Sequence, residues 1–269
     1  MGFGSITRML KDRLPGRVPQ RSGAGRTSRR RLNISLDPVV TYAIGDIHGC
    51  IDKLRRLERR IVDDAASIER SKLLVFLGDY IDRGTGSAAV IEHLMAPPPE
   101  GFSRICLCGN HEEALIDVLD GRRTLDDWMR LGGERTLMSY GYDVGYLAKL
   151  RRTAGDAAAI VEALPAGHIE FLRELPVTLS TPSYLFVHAG VRPGIDLSEQ
   201  RDEDLLWIRE PFLSEGPGIS GRLVVHGHTP GETPVVRDHR VGVDTGAYAG
   251  GPLTAARLDD AAISFLDDR

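Results

Sequence analysis

Short apolar runs alternate with helix-like segments through the first half of this 269-residue chain. Three apolar runs predict buried strands, at residues 39–44, 72–77 and 104–107. After each run, apolar residues recur at helical spacing and predict helices, at residues 51–62, 87–95 and 113–119. In such a β-α-β-α-β unit the strands are parallel, so their carboxyl ends lie at one edge of a sheet, where ligands bind.

The second half of the chain predicts a helical insert followed by further strands. Helical patterns occur at residues 124–131, 134–140, 156–164 and 168–175. We expect this insert, about residues 120–176, to form a helical cap over one side of the site. Later apolar runs predict the strands of a second, mixed sheet, at residues 184–187, 223–225, 241–243, 253–257 and 262–266. Two sheets with helices outside give an α/β fold of four layers, αββα.

Five polar motifs containing glycine occur in order along the chain. They are Gly45-Asp46-Ile47-His48-Gly49, Gly78-Asp79-Tyr80-Ile81-Asp82-Arg83-Gly84, Gly109-Asn110-His111-Glu112, His188-Ala189-Gly190 and Gly227-His228-Thr229. Together they supply oxygen and imidazole ligands for two metal ions, with a spare histidine and an arginine. This set of groups is suited to hydrolysing a phosphate ester.

Each motif taken alone has a structural explanation. An aspartate before a helix is commonly an N-cap, and a histidine is commonly a structural hydrogen-bond donor. Most of the eight histidines nevertheless lie in or beside the motifs, at strand ends next to glycine: His48, His111, His188, His226 and His228. Capping alone predicts no such clustering, so the sequence favours a metal site.

The motif set resembles the phosphoprotein phosphatase (PPP) family of metal-dependent serine/threonine phosphatases, within the calcineurin-like metallophosphoesterases. The match is closest to its bacterial and phage lambda-type branch and covers roughly residues 40–260. Further segments that match this branch are Asp127-Trp128-x-x-x-Gly132-Gly133, Trp207-Ile208-Arg209-Glu210, and Val243-Asp244-Thr245-Gly246-Ala247-Tyr248 with Gly250 two residues on. The resemblance implies the family's four-layer sandwich of two mixed sheets with a helical cap insert.

The resemblance also implies a dinuclear metal site. It assigns Asp46 and His48 to the first metal, Asp79 to both metals as a bridge, and Asn110, His188 and His228 to the second. A carboxylate has two oxygens and can bridge two cations, and an asparagine carbonyl adds a hard oxygen donor without charge. Two ions about 3.5–4 Å apart can share a water, lower its pKa and direct the resulting hydroxide at phosphorus. Such ligands suit Mn²⁺, Fe or Zn²⁺, and the resemblance favours Mn²⁺.

The resemblance identifies His111 as the general acid that protonates the leaving oxygen. Asp82 is expected to accept a hydrogen bond from the other imidazole nitrogen of His111 and so to set its tautomer. Arg83, Arg209 and Asn110 are expected to bind the phosphate, a task that suits the planar guanidinium. For Arg209 the match rests on the Trp-x-Arg segment alone, and an exposed ion-pairing arginine is the alternative.

Three more residues are predicted to support the site. Glu112 lies in the first turn of a helix, where the helix dipole favours a carboxylate. His226 stands one place before the glycine of the last motif, and Pro230 offers no donor side chain after it. We therefore interpret His226 as structural and expect fewer protein ligands on the first metal than on the second. Tyr248 matches an aromatic position on the family's active-site rim.

Composition fits one intracellular catalytic domain. The chain is 42% hydrophobic, and no apolar run approaches the roughly 20 residues of a membrane span. Three cysteines (Cys50, Cys106 and Cys108) form no disulfide framework and suit a reducing cytoplasm, which is the expected location.

The positive charge is concentrated at the N-terminus. Residues 1–36 hold nine Lys and Arg against one acidic residue, whereas residues 37–269 hold 25 against 37. We interpret residues 1–36 as a tail, with residues 17–31 disordered, and residues 37–269 as the catalytic domain. Apolar residues between positions 3 and 14 fall near one helical face. This pattern is typical of a short amphipathic helix that contacts a membrane surface or a partner weakly. A solvated leader is the alternative, and no nucleic acid partner is expected.

The resemblance implies a phosphoprotein phosphatase acting on phosphoserine and phosphothreonine in a phosphoprotein or phosphopeptide, with phosphotyrosine as a further candidate. A dinucleoside-polyphosphate (diadenosine tetraphosphate) hydrolase is the enzymatic alternative, because it shares the first motif and the fold. That family typically lacks the aspartate of Asp-Arg-Gly, which is present here as Asp82. A phosphoprotein-binding pseudoenzyme should have lost a ligand or the acid, and none is missing.

Overall fold

The computed structural model describes residues 28–35, 37, 40–69, 71–143, 145, 149, 155–216, 221–259 and 262–269. Its first half contains the predicted alternation of strands and helices, preceded by one additional strand. In chain order the elements are β1 (Arg31–Asn33), β2 (Val40–Ile44), α1 (Ile51–Asp64), β3 (Lys72–Phe76), α2 (Ser87–Met95), β4 (Phe102–Cys106) and α3 (Asn110–Leu119). The third helix begins at Asn110, earlier than predicted, so the third motif lies in its first turn.

The cap insert is helical, as predicted, and further strands follow it. The insert contains α4 (Leu125–Trp128), a kinked helical turn (Met129–Gly133), α5 (Glu134–Ser139), α6 (Asp156–Ala163) and α7 (Ala166–Glu174). After it come β5 (Thr178–Ser180), β6 (Tyr184–Val187), a 3₁₀ turn (Leu197–Glu199), α8 (Asp202–Trp207), α9 (Phe212–Glu215), β7 (Leu223–His226), β8 (Val235–Arg237), β9 (Arg240–Gly242), a 3₁₀ turn (Ala247–Ala249), β10 (Thr254–Asp259) and β11 (Ile263–Asp267).

The first sheet has the strand order β11-β10-β2-β3-β4 and carries three of the motifs. Strands β2, β3 and β4 are parallel, with Ile44 beside Phe76 and Phe76 beside Cys106. The segments that follow these strands therefore leave the sheet at the same edge. This register confirms the expectation that the first three motifs meet at the carboxyl ends of neighbouring strands.

The last two strands belong to the first sheet, so their predicted place in the second sheet is wrong. Strand β10 pairs antiparallel with β2, with Ala255 beside Ile44, and β11 pairs with β10. The second sheet has the order β1-β5-β6-β7-β9-β8 and includes the unpredicted strands β1, β5 and β8. An apolar run shows that a segment is a strand, but the choice of its partner depends on distant parts of the chain.

The two sheets pack face to face, with helices on their outer faces. Along β3, Leu73 and Val75 point into a core shared with Phe186 of the second sheet. The alternate residues Leu74 and Phe76 pack in the larger core that includes the helices. This period of two is what a strand buried on both faces requires. The predicted four-layer α/β sandwich is confirmed.

The segment from Ser28 to Asn33 packs on the domain, although the sequence assigns it to the tail. Strand β1 pairs in parallel with β5, with Leu32 beside Leu179. The Arg29 guanidinium is 9% exposed and donates to Glu113 Oε2 at 2.5 Å, on the helix that carries the third motif. The predicted boundary at residue 36 and the predicted disorder of residues 28–31 are therefore wrong. The charge pattern does not show that this arginine faces a buried carboxylate.

Three expectations about compartment and tail have different outcomes. The cysteines Cys50, Cys106 and Cys108 are free thiols, as predicted. No helix in the described part of the chain is long and apolar enough to cross a membrane. The predicted amphipathic segment at residues 3–14 lies outside the described residues.

Substitution of Arg29 is expected to destabilise the domain far more than substitution of its neighbour. Arg29→Ala removes the ion pair to the buried Glu113, a loss that typically costs about 3–5 kcal/mol of unfolding free energy. Arg30→Ala is the matched control, because Arg30 and its partner Glu174 are both largely exposed and such a pair contributes less than about 1 kcal/mol. Urea unfolding of the two variants measures the difference. Equal midpoints would contradict a role for Arg29 in stability.

Candidate dinuclear metal site

The ends of five strands bring all five motifs together at one edge of the sandwich. Three motifs follow β2, β3 and β4 of the first sheet, and His188 and His228 follow β6 and β7 of the second. Nε2 of His188 lies 3.5 Å from Oδ1 of Asp79. The backbone N–H of His228 donates to Oδ1 of Asp46 at 3.0 Å. Side chains from the two sheets thus line one buried site.

Asp79 lies between two groups of imidazoles. Its Oδ2 is 3.4 Å from Nε2 of His48 and 3.7 Å from Nε2 of His111, whereas its Oδ1 faces His188. Two sets of side chains have ligand atoms within 4.8 Å of one another: His48, Asp79 and His111, and Asp79, His188 and His228. Each carboxylate oxygen of Asp79 therefore serves a different set, which is the arrangement that a bridging ligand requires. Asp46 lies beside the first set, with its Oδ2 4.0 Å from Nε2 of His48.

The tautomers of two histidines leave lone pairs directed into the site. Nδ1 of His48 donates to the Ile81 carbonyl at 2.8 Å, and Nδ1 of His188 donates to the Leu77 carbonyl at 2.9 Å. Their Nε2 atoms are then acceptors, as is usual for metal-bound histidine. Nε2 of His48 is buried without a hydrogen-bond partner among the described residues. Nε2 of His188 lies 2.8 Å from the Asn110 side-chain oxygen, so two acceptors face each other, and a cation between them fits this geometry.

The electrostatics of the site also favour bound cations. Burial raises the pKa of Asp46 and Asp79 well above the usual range, and the neighbouring carboxylates Asp244 and Glu112 raise it further. Burial lowers the pKa of His188 to about 3 and that of His228 to about 2, so both imidazoles are neutral, the form that binds metal. Several carboxylates and neutral imidazoles at close range form a site to which divalent cations are electrostatically complementary.

Backbone strain is concentrated in the site. Positive φ angles outside glycine occur, among the described residues, at His48 (43°), Asp79 (54°), Asp82 (70°), Arg83 (63°) and His228 (62°). All of them are residues to which the sequence assigns a role. Residues that carry a side chain rarely adopt this backbone conformation. It costs about 1–3 kcal/mol per residue and persists where the surrounding structure enforces it.

Glu112 holds the turn that carries Asp79, as the predicted supporting role requires. Its carboxylate accepts hydrogen bonds from the backbone N–H groups of Asp79 and Tyr80 at 2.8 Å each, Ile81 at 3.3 Å and Gly109 at 2.9 Å. A Cβ at Gly109 would lie 2.2 Å from Asp79 Oδ1, so only glycine permits this close packing. Burial nevertheless raises the pKa of Glu112 to about 7.

His111 and Asp82 form the predicted pair. Nδ1 of His111 lies 2.7 Å from Oδ2 of Asp82, and both side chains are fully buried. Burial raises the pKa of Asp82 to about 7, and burial followed by the charges of Arg83 and Arg123 lowers that of His111 to about 3. Burial thus disfavours an isolated carboxylate at Asp82 or an isolated imidazolium at His111. The hydrogen bond between them allows the two to carry opposite charges as a pair.

Arg83 and Tyr248 lie beside this acid. Nη2 of Arg83 is 3.1 Å from Nε2 of His111, and the guanidinium carbon lies 4.5 Å from the centre of the Tyr248 ring. The same ring packs edge-on against His48, with centroids 5.1 Å apart. Tyr248 is 39% exposed, so it lies on the rim where the sequence places it.

Arg209 and His226 both lie beside the last motif, and their predicted roles stay predictions. Arg209 is exposed and donates from Nη2 to the carbonyl of His228 at 3.3 Å, so it faces the site. Its alternative partner Glu210 accepts from Ser214 Oγ instead. His226 lies outside the two ligand sets, with Nδ1 3.0 Å from the carbonyl of Gly227.

Sequence reasoning missed several residues that contact the site. Asp244 hydrogen bonds to Asp46, and its presence in a matched motif was an available signal. Trp128 and Thr136 of the cap donate to the Asp82 carboxylate. Trp128 also lies in a matched motif, but nothing in the sequence points to Thr136.

The family model of calcineurin-like phosphoesterases matches residues 40–258 of the chain, which include every predicted metal ligand. The chain belongs to the calcineurin-like phosphoesterase family.

Among curated proteins, the chain is 27% identical over 246 residues to the asymmetrical bis(5'-nucleosyl)-tetraphosphatase PrpE of Bacillus mycoides strain KBAB4, covering 81% of this chain and 89% of that protein. Among solved structures, a putative diadenosine tetraphosphatase has a TM-score of 0.60 at 19% identity, covering 89% of this chain and 98% of the other. A cold-active protein-tyrosine phosphatase of a psychrophile, Shewanella sp., has a TM-score of 0.57 at 16% identity, covering 90% and 83%. The structural similarities show the shared fold, and assignment to the lambda-type branch stays a prediction.

Asp79→Asn is expected to weaken binding of both metals, because an amide offers a single oxygen donor in place of the bridge. Asp46→Asn should reduce mainly the metal of the His48 set. Mass spectrometry measures the metal content of each variant after equilibrium dialysis and so distinguishes Asp79→Asn from Asp46→Asn. The control is Asp204→Asn, since Asp204 is also buried but pairs with Arg192 outside the site. Two tightly bound ions in Asp79→Asn would contradict the bridging role.

Proposed function

We propose that this chain is a dinuclear-metal phosphoester hydrolase with His111 as its general acid. The observation that carries the proposal is the division of the Asp79 carboxylate between two sets of imidazoles, with the His111–Asp82 pair beside it. The proposed metal ligands are Asp46, His48, Asp79, Asn110, His188 and His228. When bound, two divalent cations would supply Lewis-acid activation of the phosphoryl group and of water.

The remaining groups orient the phosphate and move a proton. Arg83 lies within 3.1 Å of Nε2 of His111, so a phosphoryl oxygen held by its guanidinium places the leaving oxygen near the acid. His111 transfers the proton from Nε2, while Asp82 retains the hydrogen bond to Nδ1 and stabilises the imidazolium form. Asn110 and Arg209 complete the proposed phosphate contacts.

For the substrate we favour a dinucleoside polyphosphate. The curated relatives carry the name of such a hydrolase. The rim also offers three arginines for phosphate contacts, Arg83, Arg123 and Arg209. The Arg123 guanidinium lies 5.8 Å from the ring centre of Trp207, which packs 6.3 Å from the His228 ring. Nε of Arg123 has no hydrogen-bond partner among the described residues, and we propose that the Arg123 guanidinium binds a second phosphate.

A phosphoprotein phosphatase is the second candidate, and the His111–Asp82 pair favours it. Hydrolysis of phosphoserine expels an alkoxide, which needs a proton from a general acid. Cleavage of a phosphoanhydride expels a phosphate group, which is stable as an anion. A buried acid pair is therefore of more use with a phosphomonoester of an alcohol than with a polyphosphate.

An activity panel separates these two substrates. The enzyme is loaded with Mn²⁺, which we propose as the activating metal, or with Fe or Zn²⁺. It is then assayed on diadenosine tetraphosphate and on peptides carrying phosphoserine, phosphothreonine or phosphotyrosine. We expect the highest kcat/KM for diadenosine tetraphosphate with unequal nucleotide products, and no turnover after chelation. A higher kcat/KM for the phosphopeptides would reverse the substrate assignment, and inactivity on every substrate would contradict the proposed function.

Arg123→Ala is expected to raise KM for diadenosine tetraphosphate about 10-fold, the loss of one charge-assisted phosphate contact. KM for nitrophenyl phosphate should change little, because that substrate has a single phosphate. The matched control is Arg122→Ala, since Arg122 is adjacent in sequence but pairs with Asp117 and Asp120. An equal change in KM for both substrates would show that Arg123 does not recognise the polyphosphate chain.

A further inference from the structure

The Asp82 carboxylate is held by the helical cap as well as by His111. Its Oδ2 accepts from Nδ1 of His111 at 2.7 Å and from Nε1 of Trp128 at 3.0 Å. Its Oδ1 accepts from the hydroxyl of Thr136 at 2.7 Å. Trp128 and Thr136 are both fully buried and lie far along the chain from Asp82. Both oxygens of this carboxylate therefore depend on donors supplied by the cap.

Thr136 makes a reciprocal pair of hydrogen bonds with Asp82. Besides donating to the carboxylate, its hydroxyl oxygen accepts from the backbone N–H of Asp82 at 2.8 Å. A single hydroxyl thus ties the main chain and the side chain of Asp82 to helix α5. With donors at both oxygens, the plane of the carboxylate is defined and rotation about its last torsion is opposed.

The cap also holds the next residue, Arg83. Between Trp128 and Thr136 the chain makes the kinked turn, in which Gly132 has a φ of 107° and its carbonyl accepts from the backbone N–H of Arg83 at 3.3 Å. Asp82 and Arg83 both have positive φ, a conformation that needs support from the surroundings. The segment 128–136 therefore encloses the strained pair from one side.

We infer that Trp128 and Thr136 are positioning residues, which fix the Asp82 carboxylate and through it the ring of His111. The inference rests on the proposed function, because it concerns the acid of that reaction. The cap then has a role besides any contact with substrate, because its residues orient the proposed general acid. A carboxylate held only by His111 can rotate, and Nε2 of the imidazole then no longer points consistently at the leaving oxygen.

The test compares substrates whose leaving groups differ in their need for a proton. Trp128→Phe removes the indole N–H and keeps an aromatic ring, and Thr136→Val removes the hydroxyl and keeps the size. For an alkyl phosphate we expect kcat to fall about 10-fold in each, part of the 10²–10⁴-fold that a general acid contributes. For nitrophenyl phosphate kcat should change less than about two-fold, since nitrophenolate leaves without a proton. KM and metal content should stay unchanged, and His111→Asn gives the limiting case.

Ser139→Ala is the matched control for the cap. Ser139 lies on α5 with Thr136, accepts from the backbone N–H of Ala88 at 3.0 Å and donates to the Thr136 carbonyl at 2.7 Å. It joins the cap to α2 without touching Asp82. If the cap acted only through general stability, Ser139→Ala and Thr136→Val would have the same effect. We expect the ratio of kcat values for the two substrates to change in Thr136→Val and to stay unchanged in Ser139→Ala.

A proton NMR measurement decides the inference independently of activity. The Nδ1–H of His111, hydrogen bonded to a buried carboxylate, should give a downfield resonance that is absent in His111→Asn. We expect this resonance to shift and its proton to exchange faster in Trp128→Phe and in Thr136→Val. An unchanged resonance in both folded variants, or equal loss of kcat on both substrates, would overturn the inference. A wild-type protein inactive on both esters and on diadenosine tetraphosphate would overturn the proposed function, and the resonance would still report on the positioning of His111.

Discussion

The carboxylates of Asp79 and Glu112 are buried side by side at the centre of this site. Two like charges removed from water repel, and the charge of Glu112 adds to burial in raising the pKa of Asp79. Two kinds of partner offset the repulsion. The backbone N–H groups of Asp79, Tyr80 and Ile81 donate to Glu112, and the imidazoles around Asp79 leave positions for cations. The strained φ of Asp79 and the lack of a side chain at Gly109 follow from the need to bring these groups together.

The cap and the two sheets contribute different parts of the chemistry. The strand ends of the sheets supply the proposed metal ligands, which therefore sit on rigid elements. The cap supplies the donors that hold Asp82, so the proposed acid pair of His111 and Asp82 lies at the boundary between the sandwich and the insert. Arginines surround the site: Arg83 lies next to His111, Arg209 next to His228, and Arg123 next to Trp207. Such a distribution suits a substrate whose charge extends beyond one phosphate.

The two candidate substrates differ in whether their leaving group needs a proton. The curated relatives point to a polyphosphate, whose leaving group needs little protonation, whereas the buried His111–Asp82 pair suits the alkoxide of a phosphorylated side chain. One site can serve both, because the groups that bind phosphate and metal are the same in either reaction. The importance of the His111–Asp82 pair and of Arg123 differs between the two reactions.

The sequence by itself determined the local elements and which motif residues follow the strand ends, and the metal-ligand roles of these residues stay a prediction. Glycines next to Asp, Asn and His at strand ends predicted the positions of Asp46, Asp79, Asn110, His188 and His228, because strand direction and turn geometry are local properties. The tertiary structure alone decided which distant segments meet. It placed β10 beside β2, Arg29 against Glu113, and Thr136 on Asp82, and none of these contacts has a local signature. Periodicity and composition indicate which face of an element is buried. The partner across that face depends on the packing of the whole chain, because one hydroxyl or one guanidinium fits a site formed by residues far away in sequence.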